Sequence, residues 1–396
     1  LGRSGVEFVD VKSGEAEANH WIRGTCQFGV LPANGMVYVP PHTCACYVKT
    51  KLNGFNALAP RQPSLEEDSS DPRLIKGPAY DAELPVSAAN EQDQWPTYRQ
   101  NGSRGSATST SVPAKLQAAW QADLGGKLTS VTVAGGKAFV AQVDDHRLHA
   151  LDAATGEPLW SFTAGGSIDS PPTIDAGRVL FGSADGRIYC LRADNGALIW
   201  RFRAGPNERR IMIDGQLESA WPVHGSMLMK DGLAYFAAGR SSFLDGGIHL
   251  FALDPASGEV VHRSRVSGRD PQTGRQPKDI IQGFDMPGGL PDILSSDGEF
   301  IYMRDLKFDS QLVQQPEGGD HLFSPTGFLD DSWWHRSYFV YGSEFKSGWG
   351  GWHQVGNIVP AGKLLVFDDE SVFGFGRNMM PRGNAGQWLT GEYYRL

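Results

Sequence analysis

The sequence predicts an all-β chain folded as a β-propeller of four-stranded antiparallel blades. Three observations carry that expectation. A strand–turn–strand unit recurs with Asp and Gly at fixed places. A second Gly-cornered hairpin lies upstream of most copies. Glycine is abundant, 49 of 396 residues, where a chain of average composition has ~7%.

The recurring unit appears as His149-Ala-Leu-Asp152-Ala-Ala-Thr-Gly156-Glu-Pro-Leu-Trp160, then as Tyr189-Cys-Leu-Arg192-Ala-Asp-Asn-Gly196-Ala-Leu-Ile-Trp200, then as Phe251-Ala-Leu-Asp254-Pro-Ala-Ser-Gly258-Glu-Val-Val-His262. A shorter copy, Phe8 to Glu15, sits near the start. The Asp can accept N–H groups of the turn, and the Gly supplies the positive φ that a tight hairpin needs. Cys190 aligns with Ala150 and Ala252, the small inward position of a strand, and reads as core. His149 aligns with Tyr189 and Phe251, a position that takes a packed ring.

The upstream hairpins are Val131–Val140, Thr173–Phe181, Met227–Phe236, Leu294–Tyr302 and Ile358–Phe367, with a further one at Gly29–Tyr38. Together the two hairpins give about four short strands per ~40 residues, the period of a propeller blade. Helical 3.6-residue periodicity is not found.

The pattern A-x-D-x-x-T/S-G-x-x-x-W resembles the tryptophan-docking, or pyrroloquinoline-quinone-like (PQQ-like), repeat of quinoprotein alcohol dehydrogenase-like propellers. The resemblance implies that Trp160 and Trp200 pack between blades against turn glycines of a neighbouring repeat, with Gly156, Gly196 and Gly258 as the turn positions. His262 and Arg192 depart from the pattern. Trp95-Pro-Thr-Tyr-Arg99-Gln-Asn-Gly-Ser-Arg104-Gly105 resembles the W-P-x-x-R-x-x-x-x-R-x-G segment that opens such propellers. The expected organisation is therefore parts of two propellers: last blades of an upstream wheel over 1–60, a polar Pro-rich linker over 61–94, and about five blades over 95–396, cut short. The whole chain resembles multi-blade PQQ-binding-like repeat proteins of planctomycetes and related bacteria, a family without a settled activity.

Composition excludes some classes. Lys plus Arg is 36 and Asp plus Glu 45, a formal charge of −9, which does not suit a general nucleic-acid binder. No apolar run is long enough to span a membrane as a helix. The first residues lack an initiator Met and an apolar leader, and the chain reads as an internal piece of a longer protein. The resemblance implies a periplasmic or secreted setting.

Long insertions between repeats place charges beside large rings, which suits a polar, ring-shaped ligand such as a sugar or quinone. The candidates are Arg210, Glu218, Trp221, His224, Arg240, Asp285, Trp334, His335 and Arg336. A bland reading, blade-packing aromatics and solvated loop charges, stands beside this one. Quinoprotein chemistry would need pyrroloquinoline quinone with Ca²⁺ held by oxygens, for which Glu218, Asp285 and Asp292 are candidates, and cations such as Arg210 or Arg336 on the quinone carboxylates. The adjacent Cys-Cys pair that lies over the cofactor in many such enzymes is absent.

Cys26, Cys44 and Cys46 cluster with His42. They suit a loop-stapling disulfide or a Cys₃His Zn²⁺ site, and a third possibility is neither. There is no C-x-x-C-H haem attachment, no dinucleotide fingerprint and no nucleophile elbow.

The leading expectation is an exported propeller that binds a small molecule, a glycan or a cell-envelope protein. The alternatives are a quinone-dependent alcohol or sugar oxidoreductase, and an assembly scaffold like the outer-membrane assembly lipoproteins of this fold.

Overall fold

The computed structural model describes residues 5–24, 29–41, 46–60, 72–85, 94–270, 272, 274, 286–330, 339–343, 360–362, 364–377 and 394–395. Among the described residues there is no helix. Four antiparallel sheets follow one another in chain order. The first blade comprises Thr132–Ala134, Lys137–Gln142, Arg147–Asp152 and Pro158–Thr163. The second comprises Thr173–Asp175, Arg178–Gly182, Arg187–Arg192 and Leu198–Arg203. The third comprises Leu228–Lys230, Leu233–Ala238, Ile248–Leu253 and Val260–Val266. The fourth comprises Ser295–Ser296, Ile301–Met303, Leu306–Phe308 and Gln314–Gln315. Each keeps its strands in simple sequential order, and three-stranded sheets follow over 321–362 and 364–395. Innermost strands of successive blades lie side by side, 132–134 by 173–175 and 173–175 by 228–230. This is the radial arrangement of a propeller.

The turns form as their residues dictate. Asp152 accepts the Ala154 and Thr155 N–H groups, both at 2.9 Å. Those backbone donors hold its carboxyl below the usual range. Asp254 accepts from Ala256 N at 2.7 Å.

The apolar cores lie between sheets. Phe139, Phe181 and Tyr189 pack between the first and second blades. Trp200, Phe202, Phe236 and Phe251 pack between the second and third. Phe181 and Phe251 are fully buried, each stabilising by about 1.5–3 kcal/mol. Cys190 lies in the second of these cores, where burial raises its thiol well above the usual range.

Tryptophans key the first blade to the second and the second to the third. The Trp160 Nε1–H donates to Ala193 O at 3.2 Å and Trp200 Nε1–H to Pro255 O at 3.1 Å. Trp120 does the same to Ala153 O at 3.1 Å, over Gly156. Cβ atoms at Gly196 and Gly258 would stand 2.6 Å from the Trp160 ring and 2.7 Å from the Trp200 ring, so only glycine admits these indoles.

The segment Trp95–Gly105 runs across the inner edges of the sheets. Trp95 exchanges hydrogen bonds with Val133 of the first blade. Pro96 O accepts from Ile174 N of the second. Thr97 Oγ1 bonds Thr173 Oγ1 at 2.8 Å. Gly102 O accepts from Ser296 N of the fourth, and Gly105 O from Phe367 N beyond it. Arg104 is 0% exposed. Its guanidinium donates to Leu294 O at 2.9 and 3.0 Å, Met227 O at 3.2 Å, and Thr97 Oγ1 and Tyr98 O at 3.0 Å. Arg99 also donates to Leu365 O. The opening motif is thus an axial plug.

The stretch expected as a linker carries a strand. Leu74–Lys76 adds to the outer strand of the second blade, making it five-stranded. Residues 61–71 and 86–93 of that stretch lie outside the described residues. Near the start, Val6–Val9 pairs with Ala16–Asn19, and Leu31–Ala33, Met36–Val39 and Asn56–Leu58 form one sheet. This region packs on the third blade's loop, where Trp21 stacks on Phe243 with centroids 5.9 Å apart. Lys49 bridges to Asp305 at 2.9 Å.

Candidate functional site

Three charged residues stand just ahead of the innermost strands of three successive blades. Asp169 is four residues before Thr173, His224 four before Leu228, and Asp292 three before Ser295. The fold therefore brings them to one end of the axis, beside the carbonyls that hold Arg104. His224 Nδ1 lies 2.6 Å from Asp169 Oδ2. Asp169 Oδ1 accepts from Gly225 N at 2.9 Å. The His224 side chain keeps 28% exposure and that of Asp169 39%. Asp292 and Arg304 lie deeper, at 2% and 7%, with Nε to Oδ2 at 3.7 Å. Asp292 accepts from Ile293 N at 2.8 Å and from Phe328 N at 3.1 Å. Arg304 donates to Pro325 O and Thr326 O.

The electrostatics join these groups. Burial opposes charge on both Asp169 and His224, yet their mutual attraction wins. The Asp169 carboxyl lies below its usual value and the His224 imidazole above its own. Burial raises Asp292, against the pull of the Arg304 and His224 charges. Glu218, in the hairpin Arg210–Ile213 with Gln216–Ser219, is pushed up to about 7 by burial, with the Asp169 charge adding to it. Its oxygen lies 3.5 Å from Ser167 Oγ.

The other sequence candidates separate from this cluster. Trp221 is fully buried. Its ring lies against Gly205 and its Nε1–H donates to Asp245 O at 3.0 Å, so it packs the fold and presents no face to a ligand. Arg240 is committed to Asp245, which Arg209 also contacts at 3.1 Å. Arg210 is exposed at the start of its hairpin. Asp285, Trp334, His335 and Arg336 lie outside the described residues, as do Cys26, Cys44 and His42. Cys46 is buried with Trp21 and Tyr47. Asp169 and Arg304 were not singled out from sequence. The signal for Asp169 is its place just ahead of an inner strand, the place His224 occupies one blade on.

Residues 113–276 match the family model described as outer membrane protein assembly factor BamB. These residues are PQQ-like propeller repeats. The repeats span the first three blades and include Trp120, Trp160 and Trp200. The fold of BamB from Moraxella catarrhalis is similar at 16% identity and TM-score 0.33, over 56% of this chain and 60% of that one. Quinohemoprotein alcohol dehydrogenase from Comamonas testosteroni is similar at 15% identity and TM-score 0.44, over 67% and 48%. A europium-containing methanol dehydrogenase is similar at 13% and 0.38, over 67% and 46%. The alignments thus span about half to three fifths of the length of these proteins. No curated protein matches the sequence.

Neither quinone nor cation fits the described residues. Arg104 is buried between the residues that lead into the inner strands of the third and fourth blades, Met227 and Leu294. Asp169 is spent on His224 and Gly225, and Asp292 on backbone amides. Among the described residues, no three His, Cys, Asp or Glu side chains are grouped to hold a metal ion. Among them too, no helix is long and apolar enough to cross a membrane.

Proposed function

We propose that this chain is a PQQ-like binding propeller of the cell envelope, exported, and taking a small polar molecule, a glycan or an envelope protein at its axial mouth. The mouth is lined by Asp169 and His224, with Asp292 and Arg304 buried beside them. The single observation that carries this reading is the Trp95–Gly105 plug with Arg104 at its centre. It fills the axis with protein and leaves above it a bowl of paired charges, which suits hydrogen bonding to hydroxyl groups. The family description of an outer-membrane assembly factor supports the envelope setting. Residues 1–60 are read as the end of a preceding propeller, docked on the Phe243 loop. The quinone-dependent oxidoreductase is the weaker reading, because the described residues do not fit its cofactor.

Calorimetric titration of the purified chain with cell-wall glycan fragments tests the proposal. Saturable binding, weakened at least tenfold by Asp169→Asn or His224→Gln, is the expected result. Absence of glycan binding, together with alcohol-driven dye reduction that requires added quinone and Ca²⁺, would overturn it.

A further inference from the structure

We propose that the outer strand of the first blade, Pro158–Thr163, is a docking edge for an extended aliphatic–basic peptide of a partner protein, which joins the blade as a fifth antiparallel strand. This surface is separate from the axial mouth and does not depend on it.

The chain supplies the precedent one blade on. There Leu74, Ile75 and Lys76 pair with Phe202, Arg201 and Trp200. Arg203 N donates to Arg73 O at 2.8 Å and Gly77 N to Ile199 O at 2.7 Å. The Arg73 guanidinium reaches Ala204 O at 3.0 Å. Leu74 seals the docked indole: its Cδ1 and the Trp200 ring would each stand 2.7 Å from a Cβ at Gly258. Under this strand Ile199 is 3% and Trp200 0% exposed.

The first blade presents the same parts uncovered. Trp160 stands for Trp200, Gly196 for Gly258, Phe162 for Phe202 and Leu159 for Ile199. Leu159 is 47% exposed, Trp160 is only partly buried, and Pro158–Thr163 is the last strand of its sheet among the described residues. The third blade also ends in a bare strand, with Val260 43% and Val261 47% exposed. It carries His262 where the indole would be, so its edge lacks the ring that Leu74 covers.

The register fixes the occupant. Residues along an antiparallel edge strand turn their N–H and C=O groups outward at every second position. Arg203 and Ile199 face out on the second blade, so Arg201 does as well. The matching positions on the first blade are Thr163, Ser161 and Leu159. A partner strand then needs an aliphatic side chain opposite Phe162, as Leu74 is opposite Phe202. It needs glycine near Pro158, because Gly77 leaves no room for a Cβ beside Leu198. A cation at its start would reach Ala164 O as Arg73 reaches Ala204 O. Strand addition gains main-chain hydrogen bonds and reads alternate side chains.

A fluorescein-labelled peptide with the sequence of residues 72–82, titrated into the full chain by anisotropy, tests the proposal. Saturation is expected with a Kd on the order of 100 μM or tighter. Ser161→Pro removes one outward N–H and leaves the inner ladder intact. It should raise the Kd at least tenfold, as should Leu74→Asp in the peptide, while Val261→Pro on the third blade changes nothing. Unchanged binding to a Ser161→Pro protein, or no binding at about 1 mM, would overturn the proposal. So would loss of binding on Arg201→Pro alone, which places the peptide on the second blade by strand exchange. A dimer of the chain that Ser161→Pro dissolves would put a second copy on this edge and overturn it as well. Circular dichroism of each variant separates these outcomes from misfolding.

Discussion

A Cβ on Gly196 would stand 2.6 Å from Cε3 of Trp160, so the first blade's indole and the second blade's turn fit only because one residue has no side chain. Gly196 also has φ +74°. Gly196→Ala therefore adds a clash with a rigid ring to backbone strain, and should cost about 2–4 kcal/mol. Gly215→Ala is the control. It shares a left-handed φ of +81° but meets nothing within 4 Å, and should cost about 1 kcal/mol. Urea midpoints of the two variants measure the difference.

Arg104 is the second test. Arg104→Met keeps volume but leaves the Leu294, Met227 and Tyr98 carbonyls without their buried donor. A loss of about 3–5 kcal/mol is expected. Arg104→Lys keeps the charge without the planar fork, and should recover less than half of that. Thermal unfolding of both proteins checks the order.

The axial mouth sets a pH dependence. Glu218 is raised from 4.5 to about 7, chiefly by burial. His224 is raised above 6.5 because the Asp169 charge outweighs burial. In each case the folded protein holds a proton more tightly than the unfolded chain. Each contribution is therefore full at low pH and is lost as pH rises, for Glu218 from 4.5 through about 7 and for His224 from 6.5 upward. Asp169, lowered from 3.8, loses its contribution only on acidification below that value. The melting temperature should be highest near about pH 5 and fall by a few degrees by about pH 8. Glu218→Gln should flatten the lower part of that slope and His224→Gln the upper part.

Leu74→Asp should unseat the fifth strand of the second blade. With its cover gone, the Trp200 indole meets water. The expected signs are a red shift of tryptophan emission and a stability loss of about 1–3 kcal/mol. Unshifted emission would mean that the strand does not shield Trp200.

The blades were legible because their information is local. Asp152, Gly156 and Trp160 lie within nine residues of one another, and the turn needs each of them where it stands. Trp120 precedes Gly156 by the same 36 residues that separate Trp160 from Gly196, but it lies in a stretch without strand character, which hides its role. The fifth strand was not visible: Leu74 and Ile75 are two apolar residues in a polar run, and only Phe202 and Trp200, over a hundred residues away, make them a strand. The plug was recognised as an opening motif and not as an axis, because the partners of Arg104 are carbonyls up to 190 residues distant, and a carbonyl has no signature in sequence. Trp221 shows the converse. Charges beside a ring suggested a ligand surface, and packing against Gly205 consumed the ring.

The axial segment has a further consequence for how the chain is made. Trp95–Gly105 leaves the ribosome, or a translocation pore, before every strand it binds. The last described residue to donate to it, Phe367, follows Gly105 by 262 residues, roughly 10–50 s at ordinary elongation rates. Arg104, 0% exposed in the fold, itself waits 190 residues for Leu294, and until then it stands in water. A chain halted before Phe367 would hold earlier blades around a segment whose Gly105 carbonyl lacks its partner.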